Sequence, residues 1–343
     1  MTSLNGRWSS QNGNWGFKMS EKLLSVVIPT YNMEAYLRRC LDSVTRDDVP
    51  PSLELIVVND GSSDNSLAIM QEYAKKRPDI VNIIDKPNGH YGSCVNVALK
   101  VATGKYFRIL DADDWFDTDG LIKLLNELEN TTADIIVTSY RKIRRTKTIE
   151  YKPKQVLYNH IYNLSQEPIW KTQNQELFAM HSMTFKTSIL RNVNLHLSEE
   201  ICYTDNEFLI YPTNKTKTLS FFETLLYNYD MTREGQSMDL KVQIQNSNHL
   251  KIIIKRFLHC SKEFNCFSQY FCTKVLLFYY YRLLFLVRND RELKIIDSLV
   301  RDYNLFLLKE VNKQLFFAPF IWRTFGFHFY FYEKIKHFFK MDR

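Results

Sequence analysis

A chain of 343 residues, 45% hydrophobic and 14% aromatic, excludes disorder for most of its length and can bury a sizeable core. Its formal charge of +7 is uneven: residues 241–343 carry 18 Lys and Arg against 8 Asp and Glu, and the rest carries 27 against 30. Six cysteines without a Cys-x-x-Cys pair or histidine partners at ligand spacing argue against zinc and for reduced thiols in a cytosolic protein. Cys260, Cys266 and Cys272, six apart, are expected on different faces of a helix.

Residues 1–20 are polar, without the apolar core of a signal peptide, and read as a disordered or upstream extension ending at Met19. Leu23 to Pro29 reads as a strand buried on both faces, stopping at the turn Pro29-Thr30-Tyr31-Asn32 before an amphipathic helix to about Thr45. A second buried strand, Leu53 to Asn59, ends in Asn59-Asp60-Gly61-Ser62-Ser63-Asp64. That segment supplies a strand-tip carboxylate, a turn at Gly61, and a helix cap at Ser62 or Ser63. A third strand, Ile80 to Asp85, leads through Pro87-Asn88-Gly89-His90-Tyr91-Gly92 into another helix. A fourth, Lys105 to Leu110, runs into Asp111-Ala112-Asp113-Asp114, and a fifth spans Asp134 to Tyr140. The alternation predicts a doubly covered, mostly parallel sheet.

Carboxylates clustered at a strand end repel one another unless a cation lies between them, so Asp111 and Asp113 are candidate ligands for Mg²⁺ or Mn²⁺. The competing reading makes Asp113 and Asp114 a turn and a cap for the helix near Asp117. Arg141 to Lys147 is either a solvated hairpin or a site for an anionic acceptor. Ala179 to Phe185, Thr218 to Phe222 and Leu225 to Tyr229 read as strands, and Thr204-Asp205-Asn206-Glu207-Phe208 opens a short helix. From Leu240 the period turns helical, near 240–265, 269–289 and 291–312.

Three stretches, Val26-Val27-Ile28-Pro29-Thr30-Tyr31-Asn32, Val57-Val58-Asn59-Asp60-Gly61-Ser62-Ser63-Asp64 and Asp111-Ala112-Asp113-Asp114, each at a strand end and in this order, resemble the family 2 glycosyltransferases over roughly residues 23–235. Tyr203-Thr204-Asp205-Asn206-Glu207 looks like that family's acidic segment, with Thr204 where Glu is usual. Arg233-Glu234-Gly235-Gln236-Ser237 resembles its segment closing over a diphosphate. The Gln-x-x-Arg-Trp motif of processive synthases is absent. The resemblance implies a GT-A fold (Rossmann-like) over 21–238, followed by a helical region over 239–343. It implies an inverting, metal-dependent transfer of one sugar from a nucleotide-diphosphate sugar, with UDP as the expected carrier. By resemblance Asp60 accepts hydrogen bonds from the base, Pro29, Tyr31 and Asn32 form the facing wall, and Asn88, Gly92 and Asp111 line the nucleotide site. Asp111 and Asp113 hold Mn²⁺ or Mg²⁺, and Asp205 takes the acceptor hydroxyl's proton as general base. His181 either faces the acceptor or is a core histidine.

Residues 315–340 hold twelve aromatics with Arg323, Lys334, Lys336 and Lys340 among them. No apolar run of about 20 residues exists to span a bilayer. An interfacial helix on an anionic, cytoplasmic membrane face is one reading, bringing the enzyme to a lipid-linked or glycan acceptor; an aromatic cap or a homodimer contact is another. Two other functions compete with this reading. A nucleotidyltransferase would carry a Gly-rich, Lys- or Arg-containing loop where Pro29-Thr30-Tyr31-Asn32 stands. A nucleic-acid-binding protein would draw on the basic C-terminal part, but no recognition module is visible there, and nucleic acid is not expected as a partner.

Overall fold

The computed structural model describes residues 21–233, 235–237, 239–286 and 291–303. The expectations for 1–20 and 315–340 lie outside them. The first half runs β1 (Leu24–Thr30), α1 (Glu34–Thr45), β2 (Leu53–Asp60), α2 (Ser66–Lys76), β3 (Val81–Lys86), α3 (His90–Val101), β4 (Tyr106–Ile109), β5 (Trp115–Phe116), α4 (Thr118–Glu129) and β6 (Ile135–Ile143). It continues with β7 (Thr148–Tyr151), β8 (Ile161–Asn163), β9 (Met183–Lys186), α5 (Thr187–Asn192), α6 (Asp205–Thr213) and β10 (Thr218–Asp230). Helices α7 (Leu240–Gln245), α8 (Ser247–Cys260), α9 (Cys266–Leu286) and α10 (Arg291–Tyr303) follow.

One sheet carries the order β3-β2-β1-β4-β9-β6-β10-β5. Pairs β3/β2, β2/β1, β1/β4 and β6/β10 are parallel, and β9 lies antiparallel between β4 and β6. Both faces are covered, as the continuous apolar strands require. Side chains alternate across β1: Leu24, Val26 and Ile28 join the core under α1, α2 and α4, while Val27 joins the opposite core. Leu37, Cys40, Leu41 and Val44 recur at helical spacing, which gives α1 one buried stripe. The second core includes Val95 of α3, Phe208 of α6, and Leu250, Phe257 and Leu276 from α8 and α9. The C-terminal helices therefore share a core with the sheet.

Several sequence expectations change in detail. Residues 179–182 form a turn, with Ser182 N donating to Ala179 O at 3.0 Å, so the strand there is only Met183–Lys186. The two expected strands over 218–229 are one 13-residue strand whose register against β6 slips between Phe221 and Leu225. A bulge of that kind breaks the alternation that sequence reading uses to follow a strand. The helical stretch 240–265 is interrupted at Asn246, and Cys260 ends α8 while Cys266 and Cys272 belong to α9, so the three do not share one helix. Ser62 and Ser63 do not cap α2. Asp64 Oδ1 accepts from Ser66 N at 2.9 Å instead, and both serines reach Asn32. The basic run is a hairpin, closed by Arg144 N to Lys147 O at 3.0 Å and an Arg141–Glu150 ion pair at 3.0 Å. Among the described residues no helix is long and apolar enough to cross a membrane.

Candidate active site

The parallel strands β1 and β4 end side by side, and ligands dock at such carboxyl edges. A cavity of about 390 Å³ opens there. Pro29 and Asp111 line it from the strand ends, His181 and Tyr229 from the adjoining strands' side, and Asp205 from the start of α6. Of the residues singled out in the sequence, Pro29, Asp111, Asp113, His181 and Asp205 are thus brought together.

The three carboxylates after β4 have separate surroundings. Asp111 Oδ1 accepts from the Tyr91 hydroxyl at 3.0 Å, and burial followed by the charge of Asp113 pushes its carboxyl up to about 7. Asp113 Oδ2 accepts from Arg233 Nε at 2.7 Å. Asp114 is 1% exposed and accepts from the Tyr227 hydroxyl and from Asp230 N, both at 2.7 Å. It ties the acidic turn to β10. The cap on α4 comes from Asp117, whose Oδ1 accepts from Gly120 N at 2.9 Å.

His181 combines both sequence readings. Its ring stacks on Tyr229 at 4.2 Å and on Tyr140 at 5.3 Å, yet it lines the cavity. Arg108, wholly buried, holds the His181 carbonyl and donates to Thr184 Oγ1 at 2.8 Å. Burial, with Lys142 and Arg108 nearby, lowers the imidazole to about 3, so the ring is neutral. Its Nδ1 is buried without a hydrogen-bond partner. One ligand atom each from Asp111, Asp114 and His181 lie within 4.8 Å of one another. An orphaned imidazole nitrogen beside two carboxylates fits a divalent cation. Asp113, expected as a ligand, is outside this group and paired with Arg233.

Asp205 opens α6 behind Thr204, whose hydroxyl is buried and makes no cap bond, so Thr204 does not compete for the capping role. Burial raises the Asp205 carboxyl to about 6, and its hydrogen bonds, including one from Asn206 Nδ2 at 3.1 Å, work against that rise. Tyr203, two residues earlier, has a φ of 70°, a conformation bulky side chains rarely adopt and one that collects at functional sites.

The expected nucleotide wall is arranged differently. Asp60 pairs with Lys86 and accepts from Gly89 N at 3.0 Å, both through Oδ1. Asn88 Nδ2 donates to the Asp60 carbonyl at 3.0 Å. Asn32, at φ 52°, accepts from Ser63 N at 2.8 Å, and Tyr31 is 49% exposed. None of these four lines the cavity. Gly92 was expected to admit a ligand's close approach. The group it admits is the Ser198 carbonyl, which a Cβ at this position would strike.

Among the lining residues given no individual role in the sequence are Tyr91, Lys142, Tyr229 and Tyr279. Each arrives from a different element, and only Lys142, inside the basic run, carried any local signal.

Residues 25–193 match the model of Glycosyl transferase family 2. The chain is 27% identical over 214 residues to the "Uncharacterized glycosyltransferase EpsJ" of Bacillus subtilis, covering 60% of each. It is 26% identical over 223 residues to the "Poly(ribitol-phosphate) beta-N-acetylglucosaminyltransferase TarS" of Staphylococcus aureus, covering 62% of this chain and 36% of that one. The structure of S. aureus TarS 1–349 in complex with UDP-GlcNAc superposes with a TM-score of 0.63 at 18% identity, over 85% of both chains. That likeness shows a shared fold, the GT-A fold expected from the sequence.

Proposed function

Residues 25–193 belong to glycosyl transferase family 2, and on that premise we propose that the protein transfers one sugar, with inversion, from a UDP-sugar to a hydroxyl of a glycan or lipid-linked acceptor. The observation that carries this reading is that Asp205 and Asp111 line one cavity at the strand ends. A carboxyl raised to about 6 is still ionised at neutral pH and is a stronger base than an ordinary aspartate. Asp205 takes the proton from the acceptor hydroxyl as that oxygen attacks the anomeric carbon, and the bond to the diphosphate breaks on the opposite face.

Asp111, with His181 and Asp114, would hold the divalent cation, and a mixed carboxylate and imidazole set suits Mn²⁺ better than Mg²⁺. When bound, the ion neutralises charge on the departing diphosphate. Arg233 supplies a second positive charge beside Asp113. TarS, described with UDP-GlcNAc, supports the carrier, and a Pyrobaculum calidifontis mannosyltransferase described with GDP-Man and Mn²⁺, at a TM-score of 0.50 and 14% identity, supports the metal. In this reading Asp60 offers its second carboxylate oxygen to the uracil N–H, with Tyr31 stacking from the exposed rim and Asn32 and Asn88 holding the loops. Domain limits of 21–238 and 239–343, and attachment of 315–340 to an anionic cytoplasmic membrane face, belong to the same proposal, supported by the charge and aromatic content of that region.

The test is a panel of nucleotide sugars followed by release of free nucleoside diphosphate, with Mn²⁺ and then with chelator. Metal-dependent turnover of one UDP-sugar, lost in Asp205→Asn while donor binding persists, is expected. No binding of any donor in calorimetry with metal would remove the reading.

A further inference from the structure

Asp205 is held by a neighbour that is itself held from a distance. Side chains at consecutive helix positions point in different directions, so the Asn206 amide does not meet the Asp205 carboxylate by helix geometry alone. Asn206 Nδ2 reaches Asp205 Oδ1 at 3.1 Å and the Tyr279 hydroxyl oxygen at 2.5 Å, with a longer approach to the Tyr203 carbonyl at 3.4 Å. An amide nitrogen has two protons. One is given to the carboxylate and the other to Tyr279. Tyr279 lies on α9, is 6% exposed, and packs its ring 5.7 Å from that of Tyr203. Tyr203, in its left-handed conformation, is tethered in turn by its hydroxyl to Ser237 O at 3.3 Å.

We propose that Tyr279 is a positioning residue for the general base, acting through the side-chain amide of Asn206. This rests on Asp205 being that base. It makes the C-terminal helices part of the catalytic apparatus, since α9 lies beyond the segment 25–193 and fixes a side chain on the cavity wall. Without the Tyr279 hydroxyl the amide is free to turn to solvent or to the Tyr203 carbonyl. The carboxylate then keeps its burial but loses its fixed orientation toward the acceptor.

The test uses the full chain with Mn²⁺ and UDP-N-acetylglucosamine, then the rest of the panel above. Tyr279→Phe keeps the ring, and its melting temperature is expected near that of the parent. Its kcat should fall roughly three- to tenfold, the effect of one hydrogen bond, while KM for the donor stays unchanged. Asn206→Ala should fall at least as far, and the double variant no further than Asn206→Ala, because both changes cut one chain of contacts. Additive losses, or a KM change at constant kcat, would overturn the proposal. A crystal structure of Tyr279→Phe needs no donor: Asn206 is expected to have left Asp205, and an amide still bonded to that carboxylate overturns the idea. Turnover surviving in Asp205→Asn would instead remove the base, and the inference with it.

Discussion

Two sets of acids stand at the carboxyl edge of one sheet, and they are treated in opposite ways. Asp60, at the tip of β2, is closed in by Lys86 and the Gly89 amide. Asp111 and Asp205 are not closed in this way: the Arg233 charge that acts on Asp111 is paired with Asp113. They meet a tyrosine hydroxyl and an asparagine amide, and burial lifts them to about 7 and about 6. A buried charge without a counter-charge costs stability, and a fold retains such groups where a ligand completes them. The difference separates an acid fixed by the protein's own cation, with one oxygen left over, from acids that burial leaves without such a partner.

The comparison breaks most sharply at Asp205. Asp205→Asn should lower kcat by about 10²- to 10⁴-fold with donor binding retained, as for loss of a general base; steady-state kinetics and calorimetry check both halves. Asp111→Ala should cost about 10²- to 10³-fold in kcat and abolish the response to Mn²⁺, read by metal titration of turnover. The parent's pH profile sharpens the same contrast. Asp205 works only when ionised, so with Mn²⁺ saturating, which keeps Asp111 ionised, kcat/KM should level off above about pH 6 and drop about tenfold per unit below it.

On the other side, Lys86→Met leaves a nearly buried Asp60 without its cation. It should lower unfolding stability by about 1–3 kcal/mol in a denaturant titration, with a smaller loss of kcat than Asp111→Ala. Smallest of all, Arg141→Ala removes a solvated ion pair with Glu150 and should change stability by less than about 1 kcal/mol, leaving turnover intact.

Much of this was legible in the sequence, for a physical reason. Strands buried on both faces announce themselves as unbroken apolar runs, and an acid just past such a run, as at Asp111, must lie at the sheet's edge. Asp205 was legible as an acid opening a helix. What could not be read is whatever depends on long-range approach. The Arg233–Asp113 pair joins residues 120 apart in sequence. His181 stands next to Asp111 because β9 inserts antiparallel between β4 and β6, and Tyr279 reaches Asp205 from the C-terminal helices. The slip in β10 hid a single strand as two, because alternation fails at a bulge. Asp60 was found by position, but its partner Lys86 was missed: it belongs to β3, and pairing between strands is not written in local pattern.

The contact at Gly92 has a mechanical meaning. This glycine, in the first turn of α3, bears directly on the Ser198 carbonyl, and Ser198 is bonded through its N–H to Glu207 of α6 at 2.7 Å. The strand-end side of the cavity and the helix carrying Asp205 are therefore spaced by a backbone contact at Gly92 backed by the buried Glu207 carboxylate. The backbone half of that stop has no rotamers to relax into. On the proposed mechanism the gap between leaving group and base is then a fixed gauge, and side-chain variation elsewhere on the wall can change which acceptor enters without resetting that width.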